Sequence, residues 1–281
     1  MTEIGQSVAE YPVAIPERPD VVLVLAWGAA TDTGNRRSHN EDSFLARSPI
    51  FAVADGMGGH SAGDVASAAV VDRLSQGVIG DFTDVDTIER GLREATDDIA
   101  LALDEKELGV GTTVTGAALS LLDGEPSWTV FNVGDSRVYL FEHNELVQVT
   151  IDHSVVQELV DAGVIRPEDA ESHPDSNVIT RAVGFNMDAI PDYWVVPVRR
   201  GLRLLICSDG LTKEVDREGL RLHLAAARSA QETALDLVGA ALEAGGRDNI
   251  TAIVVDVVDS TGIGETDNTI PRTGPTPTTG G

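Results

Sequence analysis

Four short apolar runs crowd into residues 114–149, and their spacing decides much of what the chain can become. Residues 114–121, 128–133, 138–141 and 146–149 are each too short for a buried helix and are rich in Val, Leu and aromatic residues. Asp123-Gly124 and His143-Asn144 sit in the gaps, where tight turns need residues that tolerate positive φ. Such gaps are too small for the crossover of about a dozen residues that parallel neighbours require, so antiparallel hairpins are the natural connection. Runs at 21–26, 51–54, 194–197, 202–207 and 250–258 add five more expected strands. Helical periodicity is strongest over 62–79, 87–103, 154–162 and 230–244, with Asp86 and Ser229 as expected caps and Asp64 in a first turn. Helices grouped between strand clusters predict an α+β fold of antiparallel sheets covered by helices, without internal repeats.

The rest of the chain bounds the class. With 42% apolar residues but only 4% aromatic, the core must rest on Ala, Val, Leu and Ile. Residues 1–20, with Pro12, Pro16 and Pro19, read as an extended leader, and 21–259 as one domain. Residues 260–281 read as a disordered tail, since 15 of the last 21 residues are Thr, Gly or Pro. Thr269, in that tail with acids upstream, reads first as part of a linker, with a phosphorylation site as the alternative. Acidic side chains outnumber basic ones 46 to 20, a net charge of −26, which argues against nucleic acid and anionic membranes. A single cysteine excludes an internal disulfide framework and a cysteine-rich zinc site. The start of the chain carries Glu3, Glu10 and Glu17 and no apolar core, unlike a signal peptide. A soluble, cytoplasmic, monomeric protein is the expectation.

Certain aspartates fall at the ends of the apolar runs. Run 51–54 leads straight into Asp55-Gly56, run 128–133 into Gly134-Asp135, and run 202–207 into Ser208-Asp209-Gly210, while Asp248 comes just before run 250–258. In antiparallel sheets the start of one strand lies beside the end of its neighbour, so these acids can gather along one edge. Singly, each Asp-Gly is an ordinary turn. Together they repel one another and call for a counter-charge, for which a hard divalent cation, Mg²⁺ or Mn²⁺, suits oxygen ligands. Glu41 and Asp42 extend the cluster, and Arg37 offers a planar fork for phosphate oxygens.

These residues resemble the bacterial form of the PP2C-type (PPM) metal-dependent Ser/Thr protein phosphatases. The matching segments are Arg37-Ser-His-Asn-Glu41-Asp42, Ala54-Asp55-Gly56-Met-Gly-Gly-His60, Gly109-Val-Gly111-Thr112-Thr113, Asn132-Val-Gly134-Asp135-Ser136-Arg137, Cys207-Ser-Asp209-Gly210 and Gly246-Arg-Asp248-Asn249, in the family's order. The resemblance implies a four-layer α-β-β-α sandwich, with residues 150–184 as a flap beside the active site. It implies two cations bridged by Asp55, one held also by Asp209 and Asp248, the other by Glu41 and the Gly56 carbonyl. Asp42 would order metal-bound water, and Asp135 would hold a third, weaker ion with Asp209. Arg37 would grip the phosphoryl group while a water bridged by the two metals attacks, with no phosphoenzyme. Phosphorylated proteins, Ser/Thr kinases among them, are the implied partners.

One departure stands out. Where animal members place a His after Asp-Gly to protonate the leaving alkoxide, this chain has Met57, and His60 cannot simply inherit the role. Cys207 invites a cysteine-phosphatase reading, but Lys213 stands where that class needs an arginine. Residues 56–63 lack the glycine and lysine spacing of nucleotide loops. A phosphatase-like binding or sensing module, catalytically weak, is the alternative. Loss of metal acids would mark it, and none is missing.

Overall fold

A computed structural model describes residues 1–58, 62–102, 109–185 and 190–263. One sheet runs in the order β1 (Glu3–Gly5), β4 (Asp42–Arg47), β5 (Ile50–Met57), β7 (Val114–Leu122), β8 (Glu125–Val133) and β11 (Asp192–Pro197), with β6 (Gly111–Thr112) paired to β5. The other runs β10 (Glu145–Gln148), β9 (Arg137–Glu142), β12 (Arg203–Cys207), β13 (Ile250–Asp259), β3 (Leu23–Asp32) and β2 (Val8–Val13). The helices are α1 (Ala62–Gln76), α2 (Val85–Ala102), α3 (Val155–Asp161), α4 (Asp209–Thr212), α5 (Arg217–Ala225) and α6 (Ala230–Ala244).

Strand alternation builds the layers. On β13, Ile253, Val255 and Val257 enter the core between the sheets, whereas Ile250, Ala252 and Val254 turn outward onto α6. On β5, Phe51 and Val53 face the other sheet, and Ala52 and Ala54 meet Ala66, Val70 and Leu74 of α1. Burial on both faces explains why these antiparallel strands read as continuous apolar runs, a pattern more usual in parallel sheets. The few aromatics are concentrated between the sheets, where Tyr11, Trp27, Phe51 and Trp128 form an edge-to-face chain with centroids 5.2–6.0 Å apart. The architecture is the expected helix-covered pair of sheets.

Several expectations need correction. Residues 1–20 are extended but not separate, because β1 and β2 add an edge strand to each sheet. Tyr11 and Val13 pack onto the inter-sheet core, which supplies the burial that the Pro-rich composition concealed. The pairing of β1 with β4 is parallel, an exception in otherwise antiparallel sheets among the described residues. Asp84, not Asp86, caps α2, its Oδ1 accepting from the Thr87 N–H at 2.8 Å. Ser229 caps α6 as expected and forms a capping box with Glu232. Residues 264–281, including Thr269, and His60 lie outside the described residues. Among those described, no helix is long and apolar enough to cross a membrane.

Candidate functional site

The cluster begins with a register. β4 and β5 pair so that Asp42 stands opposite Asp55. Asp135 lies in the link where the chain passes from β8 in one sheet to β9 in the other. Asp209 opens α4 two residues after β12, and Asp248 lies two residues before β13. Pairing of β12 with β13 brings Cys207 opposite Ala252 and so sets these last two acids at one end of the sandwich.

Glycines make the crowding possible. A Cβ on Gly56 would fall 2.1 Å from the Gly63 carbonyl oxygen and 2.7 Å from that of Glu41. One on Gly210 would lie 1.9 Å from the Asn249 oxygen. Gly134 adopts φ 112°, and a Cβ there would strike Thr113. The Asp-Gly and Gly-Asp pairs are therefore demands of close backbone approach at the mouth.

Asp42 is wholly buried and spans the two sheets. Its Oδ2 accepts from Ser208 Oγ at 2.8 Å and Thr251 Oγ1 at 2.7 Å, and its Oδ1 has no partner. Thr31 Oγ1, which accepts from Asn40, completes a hydroxyl relay to Thr251 at 2.8 Å. Burial pushes the Asp42 carboxyl up to about 7, against the pull of those hydroxyls and with added repulsion from Asp209 and Asp248. Asp55 is raised well above its ordinary value, by burial first and then by Asp42, Asp209, Asp135 and Asp248. Asp135 rises to about 7 from burial and the nearby Asp209, opposed by Lys213.

The outer acids have cations. Arg37 holds Asp248 through Nε–Oδ1 at 2.7 Å and Nη2–Oδ2 at 2.9 Å. Lys213 pairs with Asp209 Oδ2, while Asp209 Oδ1 is buried without a partner. Glu41 is raised by burial, against the favourable charge of Arg37. Asn249 staples the loop carrying it: Oδ1 accepts from the Glu41 N–H, and Nδ2 donates to the Thr33 and His39 carbonyls, each at 2.9 Å.

All eight expected site residues thus meet at one mouth. Among the described residues no three His, Cys, Asp or Glu side chains close to metal-ligating geometry. The acids repel one another, and those on the rim turn to Arg37 and Lys213. The donor set still suits a hard divalent cation, because buried carboxylate oxygens of Asp42 and Asp209 lack partners and each neighbour raises the demand for positive charge.

A cleft of about 430 Å³ opens beside the acids. Its far wall is Ser154, Val156, Ala170, Glu171, Ser176 and Asn177 of the segment expected as a flap. That segment is tied down at its base. His153 Nδ1 accepts from the Gly134 N–H at 3.1 Å, its Nε2 bonds Asp192 at 3.0 Å, and burial pushes its pKa down, so a neutral ring with Nε2 protonated fits both bonds. Cys207 is buried and its thiol is pushed up to about 12, an inert core residue. Sequence reasoning missed Ser208, Thr251, Thr31, Asn249 and Lys213. Ser208 and Asn249 were discoverable as neighbours of Asp209 and Asp248, but a Thr inside a β-branched run carries no mark of its role.

Fold and site together define an α+β sandwich with a carboxylate-rich mouth, and a sequence model described as protein phosphatase 2C matches residues 34–240. The chain belongs to the protein phosphatase 2C family. It is 40% identical over 245 residues to the serine/threonine protein phosphatase PstP of Mycobacterium tuberculosis, covering 85% of this chain and 46% of that protein. The chain thus spans about half the length of that curated relative. It is 39% identical over 239 residues to the serine/threonine phosphatase stp of Listeria welshimeri, covering 80% of this chain and 93% of that one. The crystal structure of the PstP catalytic domain in complex with two manganese ions superposes with a TM-score of 0.75, at 37% identity, covering 84% of this chain and all of that one.

Proposed function

We propose that this chain is a metal-dependent protein phosphatase that hydrolyses phosphoserine and phosphothreonine in cytoplasmic proteins, Ser/Thr kinases among them. The observation that carries the proposal is the Asp42–Asp55 register, which confronts two carboxylates with no basic side chain among the described residues hydrogen-bonded to either. A module that had shed catalysis has no need to keep so unfavourable an arrangement.

Asp55, Asp209 and Asp248 would hold one divalent cation, Mn²⁺ or Mg²⁺, and Asp55, Glu41 and the Gly56 carbonyl the other. When bound, such a pair lowers the pKa of a water and screens the phosphate it attacks, so the ester is cleaved without a phosphoenzyme. Asp42, its Oδ2 locked by Ser208 and Thr251, has a buried, unpartnered Oδ1 left to order water. Arg37 is half exposed, at 50%, so its fork can exchange Asp248 for two phosphoryl oxygens and align the ester for in-line displacement. The flap wall and the acids enclose the cleft that takes the phosphorylated side chain. His153 is committed to Gly134 and Asp192 and is a poor proton donor to the leaving alkoxide.

Hydrolysis of an aryl phosphate and a phosphothreonine peptide, with and without Mn²⁺, tests the proposal in wild type and Asp209→Ala. Activity that Mn²⁺ switches on, and that Asp209→Ala abolishes in a folded protein, is expected. Mn²⁺ uptake without turnover of either substrate would transfer the case to a binding module.

A further inference from the structure

Lys213 follows α4 directly and lies four residues after Asp209, the spacing that brings two side chains onto one helix face. Its ammonium pairs with Asp209 Oδ2 and lines the same cleft as Asp135. The backbone fixes its stem: the Lys213 N–H donates to the Asp209 carbonyl at 2.9 Å, and its own carbonyl accepts from Arg247 Nη2 at 3.1 Å. The side chain is only 36% exposed. Its charge acts on Asp135 and Asp248 as well as Asp209, and it is the first influence opposing the rise of the Asp135 carboxyl.

An ammonium is thus anchored beside the two carboxylates, Asp135 and Asp209, that the resemblance assigns to a third divalent ion. A doubly charged ion entering there meets a fixed positive charge a few ångströms away, and must expel a side chain that already neutralises one of its ligands. Among the described residues no basic side chain is hydrogen-bonded to Asp42 or Asp55: the Asp42 carboxylate accepts from two hydroxyls, and the Asp55 backbone N–H donates to Thr113 Oγ1.

We propose that Lys213 is a built-in cation for the Asp135–Asp209 pair, so that this chain binds two divalent ions per site and its own ammonium stands in place of the third. The inference rests on the metal-centre reading above. Lys213 is then a positioning residue. It engages Asp209 Oδ2 and leaves the buried, unpartnered Oδ1 as the donor for the ion that Asp209 shares with Asp55 and Asp248. Asp135 serves as the counter-ion of Lys213 rather than as a ligand.

The test counts Mn²⁺ alone, titrated into the full chain after chelation, by equilibrium dialysis and by electron paramagnetic resonance. Wild type and Lys213→Arg are expected to take up two ions. Lys213→Gln and Lys213→Met should take up three, the third at least about tenfold tighter than any residual third site in wild type, the scale of one nearby charge. Wild type that takes up three, or folded neutral variants that stay at two, would overturn the proposal. The wild-type count stands even where a variant fails to fold. Wild type that takes up none removes the metal-centre reading itself, and the proposal with it, whereas two ions indifferent to position 213 remove the proposal alone.

Discussion

The inner and outer acids of the mouth solve the same problem in different ways. Asp42 and Asp55 are paired across β4 and β5; Asp42 is wholly buried and held by two hydroxyls, and Asp55 is partly buried, its backbone N–H donating to Thr113 Oγ1. Asp209 and Asp248, at the ends of β12 and β13, sit against Lys213 and Arg37. Burial without a counter-charge lifts the inner carboxyls, while the rim supplies its own cations. The protein therefore provides positive charge only where solvent and substrate can exchange with it, and leaves the centre in deficit.

The largest effect that separates the halves should come from Asp55→Asn. Turnover of a phosphothreonine peptide should fall by about a thousandfold or more, the upper range for losing one electrostatic group. In chelator the same variant should be more stable than wild type by about 1–3 kcal/mol, because a repelled, buried charge is gone. A variant that is both inactive and less stable in chelator would break the comparison.

Next is a swing with pH. Asp42 and Asp135, at about 7 when folded, bind their protons more tightly than in the unfolded chain. Their contribution is fully present below the ordinary carboxyl range and is lost as pH rises through 7. Melting of chelated protein should therefore fall by several degrees between about pH 5 and pH 8. Saturating Mn²⁺ should reverse the slope, since ligation needs the ionised form. Equal slopes with and without metal would count against a buried, uncompensated centre.

The smallest effect belongs to the rim. Arg37→Lys keeps the charge but loses the fork, so kcat/KM for a phosphothreonine peptide should drop by about tenfold. Stability should move by less than about 1 kcal/mol, as for other half-exposed ion pairs. A stability loss as large as that of an inner-site change would erase the distinction between rim and centre.

What the sequence disclosed follows the same division. Nine strands were legible, those in the middle of the sheets because burial on both faces makes their runs continuously apolar, as in Ile250–Asp259. β4 was not, since its apolar stretch is only Phe44-Leu45-Ala46, and β1 depends on pairing Glu3 with Phe44 across forty residues of chain. Asp55, Asp135, Asp209 and Asp248 were legible because each borders a legible run, whereas Glu41 precedes and Asp42 opens the illegible β4, and the two stood out only as adjacent acids. Their supports were not: Thr31 and Thr251 look like any β-branched strand residue, and Lys213 gains meaning only once a helical turn is known to open at Asp209.

The aromatic chain from Tyr11 through Trp27 and Phe51 to Trp128 has a consequence for the chemistry at a distance. It sits between the sheets, and Phe51 shares β5 with Asp55, four residues on. One sheet carries Asp42 and Asp55, and the other leads into Asp209 and Asp248. The rings act as a spacer that calibrates the gap between the two jaws. Any repacking of the rings that alters the separation of the sheets also changes the bite of the mouth, without touching a single acid.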